Sequence, residues 1–151
     1  MAKIGIVGHG ADKFSAATKD KAKDLIRKIL TSDPTSILVS GHSPVGGVDI
    51  WSEEVATEIG IYMDLKIPRQ KTWDAEYGYK QRNLDIARDS DEVHVILVEK
   101  YPEGYNGMQF DKCYHCNTSS HVKSGACWTG NKAQQMGKKV YWHIIKLEGA
   151  I

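Results

Sequence analysis

Residues 37–49 read ILVSGHSPVGGVD, and the choice of fold turns on how this stretch is taken. Ile37, Leu38 and Val39 form an apolar run of the length expected for a buried strand. Gly41, Gly46 and Gly47 follow, and residues without a Cβ let the chain turn sharply and bring its backbone close to a ligand. From Asp49 the period changes: Ile50, Val55, Ala56 and Ile59 fall near helical spacing, with Asp49 placed as an N-cap or first-turn acid. A strand, a glycine-rich loop and a helix start, in that order, build an anion site, because free N–H groups and the positive end of the helix dipole point the same way. Phosphate is the expected anion. The same residues also suit a tight strand-to-helix turn that holds nothing.

Upstream, residues 3–8 (KIGIVG) read as a strand, closed by a second glycine turn at Gly8 and Gly10. Residues 12–30 put Ala16, Ala22, Leu25, Ile26, Ile29 and Leu30 on one helical face and charge on the other, until Asp33-Pro34 stops the helix. Downstream, Gly60 closes the helix that begins near Asp49, and residues 61–67 make a third strand that Pro68 marks as an edge. Residues 69–79 are a polar, aromatic loop, 79–90 a helix, and 92–98 (EVHVILV) a strand. Residues 129–136 form the last helix, capped by Gly137, and 139–145 (KVYWHII) the last strand. Strands alternating with helices predict one α/β domain over residues 1–151: a Rossmann-like parallel sheet of about five strands with helices on both faces. A Cys/His-rich insertion at about 100–124 is too short to bury a core of its own.

Composition agrees with a single globular unit. The chain has 151 residues, 41% hydrophobic and 26% charged, which excludes a disordered polymer. A formal net charge of +1 gives no overall nucleic-acid footprint. No apolar run approaches the roughly 20 residues that cross a bilayer, so no membrane partner is expected. The first ten residues enter a strand pattern without a signal-peptide core, and a cytoplasmic protein is the expectation.

All three cysteines fall between residues 113 and 127, an odd and clustered set that argues for metal or free thiols over disulfides. Cys113, Cys116, His121 and Cys127 give C-x2-C-x4-H-x5-C, four nitrogen and sulfur donors of the kind that close a tetrahedral structural zinc site. His115 is an alternative to His121. Free thiols in CxxC, with Cys127 as a small apolar residue at a helix start, is the competing account. No organic cofactor is identified.

Arg82 is a fixed cation with a forked donor set suited to phosphate, and Asn83 suits a base edge or a helix cap. Asp49, Glu53 and Glu54 are the carboxylates placed to serve as a catalytic base; a solvated helix face is the alternative for the two glutamates. Ser124, Gly125 and Thr129 open a second glycine-bearing helix start. His9 and His42, in the two glycine loops, are candidates to donate to a phosphate or take part in catalysis, with turn residues that carry no chemistry as the preferred account of each. Trp51, Trp73, Tyr77 and Trp128 are candidates to stack on a base.

Three separated pieces resemble the DNA-processing protein A (DprA/Smf) Rossmann-like domain. SGHSPVGGVD is similar to its SGxAxGxD signature at Ser40, Gly41, Gly47 and Asp49. Arg82-Asn83 is similar to its RN pair, and SGACWTGNKAQQMGKKV to its SGSLxTAxxAxxxGxxV stretch at Ser124, Gly125, Thr129, Ala133, Gly137 and Val140. The wider SLOG superfamily also holds the Lonely Guy phosphoribohydrolases and the molybdenum-cofactor carriers. The resemblance implies a nucleotide or related phosphorylated ligand held at Gly8, Gly10, Ser40, Gly41, Gly46, Gly47, Asp49, Arg82, Asn83, Ser124, Gly125 and Thr129, and it implies a homodimer. The PGGxGTxxE motif of the Lonely Guy enzymes is absent from the sequence. The expectation is therefore a binding or sensor module. Its alternatives are a nucleoside-monophosphate N-glycosidase and DprA-like single-stranded DNA binding, the latter disfavoured by the neutral charge.

Overall fold

Five short strands, all but the edge strand rich in Ile, Val or Leu, pair into one parallel sheet, and four helices cover its two faces. The structure is a computed structural model that describes residues 2–146; residues 1 and 147–151, the two ends of the expected 1–151 domain, lie outside them. The elements are β1 (Lys3–Gly8), α1 (Ala16–Thr31), β2 (Ile37–Ser40), α2 (Val48–Ile59), β3 (Tyr62–Leu65), α3 (Tyr79–Asp89), β4 (Glu92–Val98), α4 (Ala126–Gln135) and β5 (Lys139–Ile145). The sheet order is β3-β2-β1-β4-β5, the Rossmann-like arrangement expected from the sequence. β1 lies beside β4 from Ile4 against Glu92 to Gly8 against Ile96, and the winding reverses between these two strands. At such a switch point the loops leaving the two strands part and open a crevice at their carboxyl ends.

β4 shows why the central strands read as continuous apolar runs. Val93, Val95 and Leu97 pack with Ile86 and Ala133 under α3 and α4, while Ile96 joins Ile6, Ile26, Leu38 and Val55 under α1 and α2. Both faces are buried, so no polar alternation is required. At the β3 edge, Tyr62, Met63, Leu65 and Ile67 are exposed, and the strand pairs only over Tyr62–Leu65, shorter than the 61–67 run.

Two helix starts differ from the periodicity. α1 begins at Ala16 rather than residue 12, because Ser15 and Thr18 form a capping box: the Thr18 N–H donates to Ser15 Oγ at 3.1 Å and the Ser15 N–H to Thr18 Oγ1 at 2.8 Å. Residues Ala11–Lys13 make a separate 3-10 turn. α4 begins at Ala126 rather than residue 129, because Ser124 Oγ accepts the Ala126 N–H at 3.1 Å.

The loops after β1 and β2 interlock at Gly47. Its φ is 82°, and a Cβ there would collide with the His9 carbonyl and the Ala11 nitrogen. The next N–H, from Val48, donates to the same His9 carbonyl at 3.1 Å. Gly60 has a similar φ of 78° but open space around it. Gly47→Ala is therefore expected to cost about 2–5 kcal/mol, from left-handed backbone plus overpacking. Gly60→Ala should cost about 1–2 kcal/mol, from the backbone alone. Urea denaturation compares the two, and equal losses would contradict the close approach at Gly47.

Candidate functional site

A cleft of about 370 Å³ opens at the carboxyl ends of β1 and β4. Gly8, His9 and Gly10 form its floor, with Lys13 beside them. Ser43 and Asp49 enter from the loop and first turn leading into α2, and Tyr79, Arg82, Asn83 and Ile86 from α3. Lys123, Ser124, Gly125, Ala126 and Thr129 contribute the start of α4. Aromatic side chains line it as well: Trp73, and Tyr101, Tyr105 and Phe110 of the insertion.

Arg82 is held in place by contacts within the fold. Its Nη1 donates to the Gly41 carbonyl at 2.6 Å, its Nε to Asn83 Oδ1 at 2.7 Å, and its guanidinium lies 5.3 Å from the Tyr79 ring centroid. The neighbouring acids of α3 are engaged elsewhere, Asp85 with Arg88 and Asp89 with both Arg88 and Lys66. Asp49 is buried and accepts the Ser43 N–H at 3.1 Å. Burial pushes its carboxyl up to about 6, against the pull of Arg82 and the Ser43 N–H. Lys13 lies 4.9 Å over Tyr105 and Lys123 4.7 Å over Phe110, so the insertion's rings carry cations into the cleft.

His9 has a different part from the phosphate donor suggested by its glycine turn. Its Nδ1 accepts the Val98 N–H at 3.2 Å, which leaves the proton on Nε2. Nε2 donates to the Val122 carbonyl at 3.1 Å and the Lys123 carbonyl at 3.2 Å. Burial holds the ring neutral, with its pKa pushed down to about 4.

Of the residues singled out in the sequence, Gly8, Gly10, Asp49, Arg82, Asn83, Ser124, Gly125 and Thr129 line the cleft together. Ser40, Gly41, Gly46 and Gly47 lie just outside its lining: Ser40 Oγ donates to Glu53 Oε2 at 2.8 Å, Gly41 supports Arg82, and Gly47 supports the β1 loop. Glu53 also pairs with His42 Nδ1 at 2.6 Å, and His42, Glu53 and Glu54 line a separate groove beside Met63. Trp51 is core, 4.8 Å from Phe14, and Trp128 packs edge-on against Trp73 from outside the cleft. Sequence reasoning missed Lys13, Lys123 and the rings at 101, 105 and 110. The density of aromatics in residues 99–123 was the available signal.

The insertion is organised by its sulfur cluster. Ligand atoms of Cys113, Cys116, His121 and Cys127 all lie within 4.8 Å of one another and could hold a metal ion. The ring of His115 is not part of the group. The His121 Nδ1–H donates to the Val122 carbonyl at 2.8 Å, which leaves Nε2 facing Cys127 Sγ at 3.9 Å. A tetrahedral zinc holds its nitrogen and sulfur ligands about 3.5–3.8 Å apart. Burial works against ionising Cys113, yet N–H donors from Ser124, Cys116 and His115 hold its thiol below the ordinary value. Asn117, at φ 55°, turns the chain so that its N–H donates to the Cys113 carbonyl at 2.8 Å.

No protein-family model matches the sequence, and no curated protein matches it. Among solved structures, the chain is similar to the molybdenum cofactor carrier protein of Chlamydomonas reinhardtii, with a TM-score of 0.60 and 16% identity over 99% of this chain and 92% of that one. That likeness places the chain among Rossmann-like folds. Among the described residues no helix is long and apolar enough to cross a membrane.

Asp49 and His9 give the cleft two opposed pH dependences. Asp49 is raised from an ordinary 3.8 to about 6, so its contribution to stability is complete below 3.8 and is lost as pH rises through 6. His9 is lowered from 6.5 to about 4, so its contribution is complete above 6.5 and is lost as pH falls through 4. Between pH 4 and 6 the slopes oppose each other, and only differences between variants reveal them. Thermal unfolding should show the wild type losing on the order of 3 kcal/mol relative to Asp49→Asn from pH 4 to 7, each pKa unit being worth about 1.4 kcal/mol. Parallel pH curves for the two proteins would show that Asp49 is not held protonated by burial.

Proposed function

We propose that the cleft binds a nucleotide or nucleotide-derived phosphorylated small molecule, and that the protein works as a binding or sensor module. One observation carries this reading: a fixed guanidinium, a helix start and several aromatic rings share a single cleft of about 370 Å³. Arg82, Lys13 and Lys123 bring positive charge against the single carboxylate of Asp49 among the described lining residues. A dianionic phosphate suits that balance, with Arg82 and the α4 start at Ser124, Gly125 and Thr129 as its donors. Gly8 and Gly10 let the β1 backbone approach the ligand. Asp49 and Asn83 face the sugar or base, and Trp73, Tyr101, Tyr105 and Phe110 offer rings to a planar heterocycle.

The volume falls within the range of about 300–1,000 Å³ of small-molecule sites, which favours a single nucleotide over a DNA strand. The SGHSPVGGVD, Arg82-Asn83 and SGACWTGNKAQQMGKKV stretches support a place near the DprA/SLOG proteins. The fold likeness to a cofactor carrier is in keeping with a bound small molecule. Glu53 is tied to Ser40 and His42 outside the cleft, so an N-glycosidase would rest on Asp49 alone, and binding is the better supported activity. Cys113, Cys116, His121 and Cys127 hold a structural zinc in this reading, and their reduced thiols suit the cytoplasm.

A thermal-shift series with nucleoside mono-, di- and triphosphates tests the cleft. A ligand at a hundredfold excess over its Kd should add about 2.7 kcal/mol of stability. Arg82→Ala should remove most of that gain and Glu54→Gln none of it, while incubation with nucleoside monophosphates releases no base. Absence of a shift with every nucleotide would sink the reading. Elemental analysis should find about one zinc per chain.

A further inference from the structure

The segment that runs from the metal ligands to the cleft is only a few residues long, and consecutive residues in it serve different masters. His121 is a ligand of the cluster; the carbonyl of Val122 accepts both the His121 Nδ1–H at 2.8 Å and the His9 Nε2–H at 3.1 Å. Lys123 gives its carbonyl to His9 at 3.2 Å and its side chain to the cleft. Ser124 lines the cleft, and its Oγ accepts the Ala126 N–H at 3.1 Å at the start of α4. Cys127, in the first turn of α4, returns to the cluster. Apart from a single bridge between Cys113 and Thr118, no named strand or helix lies between Val98 and Ala126. The path of these residues is therefore held from two directions, by the cluster and by His9.

We propose that His9 is a positioning residue through which metal occupancy at Cys113, Cys116, His121 and Cys127 sets the ligand affinity of the cleft. This rests on the reading of the cleft as a site for a phosphorylated small molecule. Two anchors act on one short segment. With metal bound, His121 and Cys127 fix its ends, and the shared Val122 carbonyl lies where His9 can reach it. Without metal, the segment keeps the His9 bonds, the Val122 N–H to the Val98 carbonyl at 2.9 Å and short-range contacts such as the Ala126 N–H to Ser124 Oγ at 3.1 Å, but its ends lose their anchor. Lys123 and the start of α4 then lose their fixed aim at the cleft. Binding couplings are reciprocal, so a ligand that needs Lys123 and Gly125 in place also tightens the metal site by the same factor.

The test uses the full chain, with zinc as the metal and adenosine monophosphate as the probe. Amide exchange at residues 122–126, read without any nucleotide, should be slow in the zinc-loaded wild type. It should be fast after chelation, in Cys116→Ser and in His9→Leu, while β1, β2 and β4 keep their protection. Adenosine monophosphate should bind at least tenfold more weakly in those three states. His9→Gln, whose amide can donate where Nε2–H does, should recover most of the loss; it also keeps the test decisive if His9→Leu fails to fold. Nucleotide should raise the zinc affinity of the wild type and leave that of His9→Leu nearly unchanged. Equal nucleotide affinity in loaded and stripped protein, or unchanged exchange at residues 122–126, would overturn the coupling and leave the cleft reading standing. If no nucleotide in the series binds the zinc-loaded wild type, the cleft reading itself fails, and this proposal fails with it.

Discussion

One neutral imidazole ties the functional end of this fold together. The His9 ring takes an N–H from the end of β4 and gives its proton to the segment before α4, while its own carbonyl receives the first N–H of α2. Three connections that are far apart in sequence thus meet on one residue at the switch point of the sheet. The arrangement requires the ring to be uncharged, since protonating Nδ1 would remove its acceptor and turn a donor toward another donor. Burial supplies that condition by making the charged form costly. A buried polar side chain is tolerated here because each of its ring nitrogens has a partner.

The cleft built around this junction is asymmetric in charge for a related reason. Arg82 keeps its charge because a guanidinium does not titrate in the accessible range, and its two internal hydrogen bonds leave further donors for a guest. Asp49, one helix away and buried, cannot stay ionised as easily and sits near 6. A nearby anionic guest would raise it further, so the site becomes more positive as it fills. The insertion places the rings of Tyr105 and Phe110 under Lys13 and Lys123, which holds two flexible cations at the cleft, although Lys13 also pairs with Asp12 at 3.2 Å.

Much of this was legible in the sequence, and the part that was not has physical causes. The strand bounds at Lys3–Gly8, Ile37–Ser40, Glu92–Val98 and Lys139–Ile145 followed from apolar runs flanked by glycine and polar residues. Cluster membership at Cys113, Cys116, His121 and Cys127 followed from spacing. The start of α1 was misplaced because Ser15 and Thr18 compete for the backbone by local hydrogen bonds that periodicity does not register. The orientation of Glu53 was also hidden. It lies one turn beyond Asp49 on the same helix, about 6 Å along the axis, which is far enough to pass beneath the β2 loop to Ser40 and His42 instead of reaching the cleft. The aromatic wall was invisible for a different reason: residues 99–123 follow no period, and only the cluster's closure decides which side of the segment faces the sheet.

That closure explains why an insertion of this kind is placed between β4 and α4. β4, which it separates from α4, is paired with β5 over its whole length, Glu92 against Lys139 through Val98 against Ile145, so the connection can grow without disturbing the sheet. Loop entropy rises slowly with length, but a loop of about 27 residues has too little apolar surface to order itself. The ligand atoms of Cys113, Cys116, His121 and Cys127 converge within 4.8 Å of one another there, beside the place where the fold already parts its strands. The fold therefore fixes where the crevice opens, while the side chains this loop carries, together with Arg82 and Asp49, set its charge and shape.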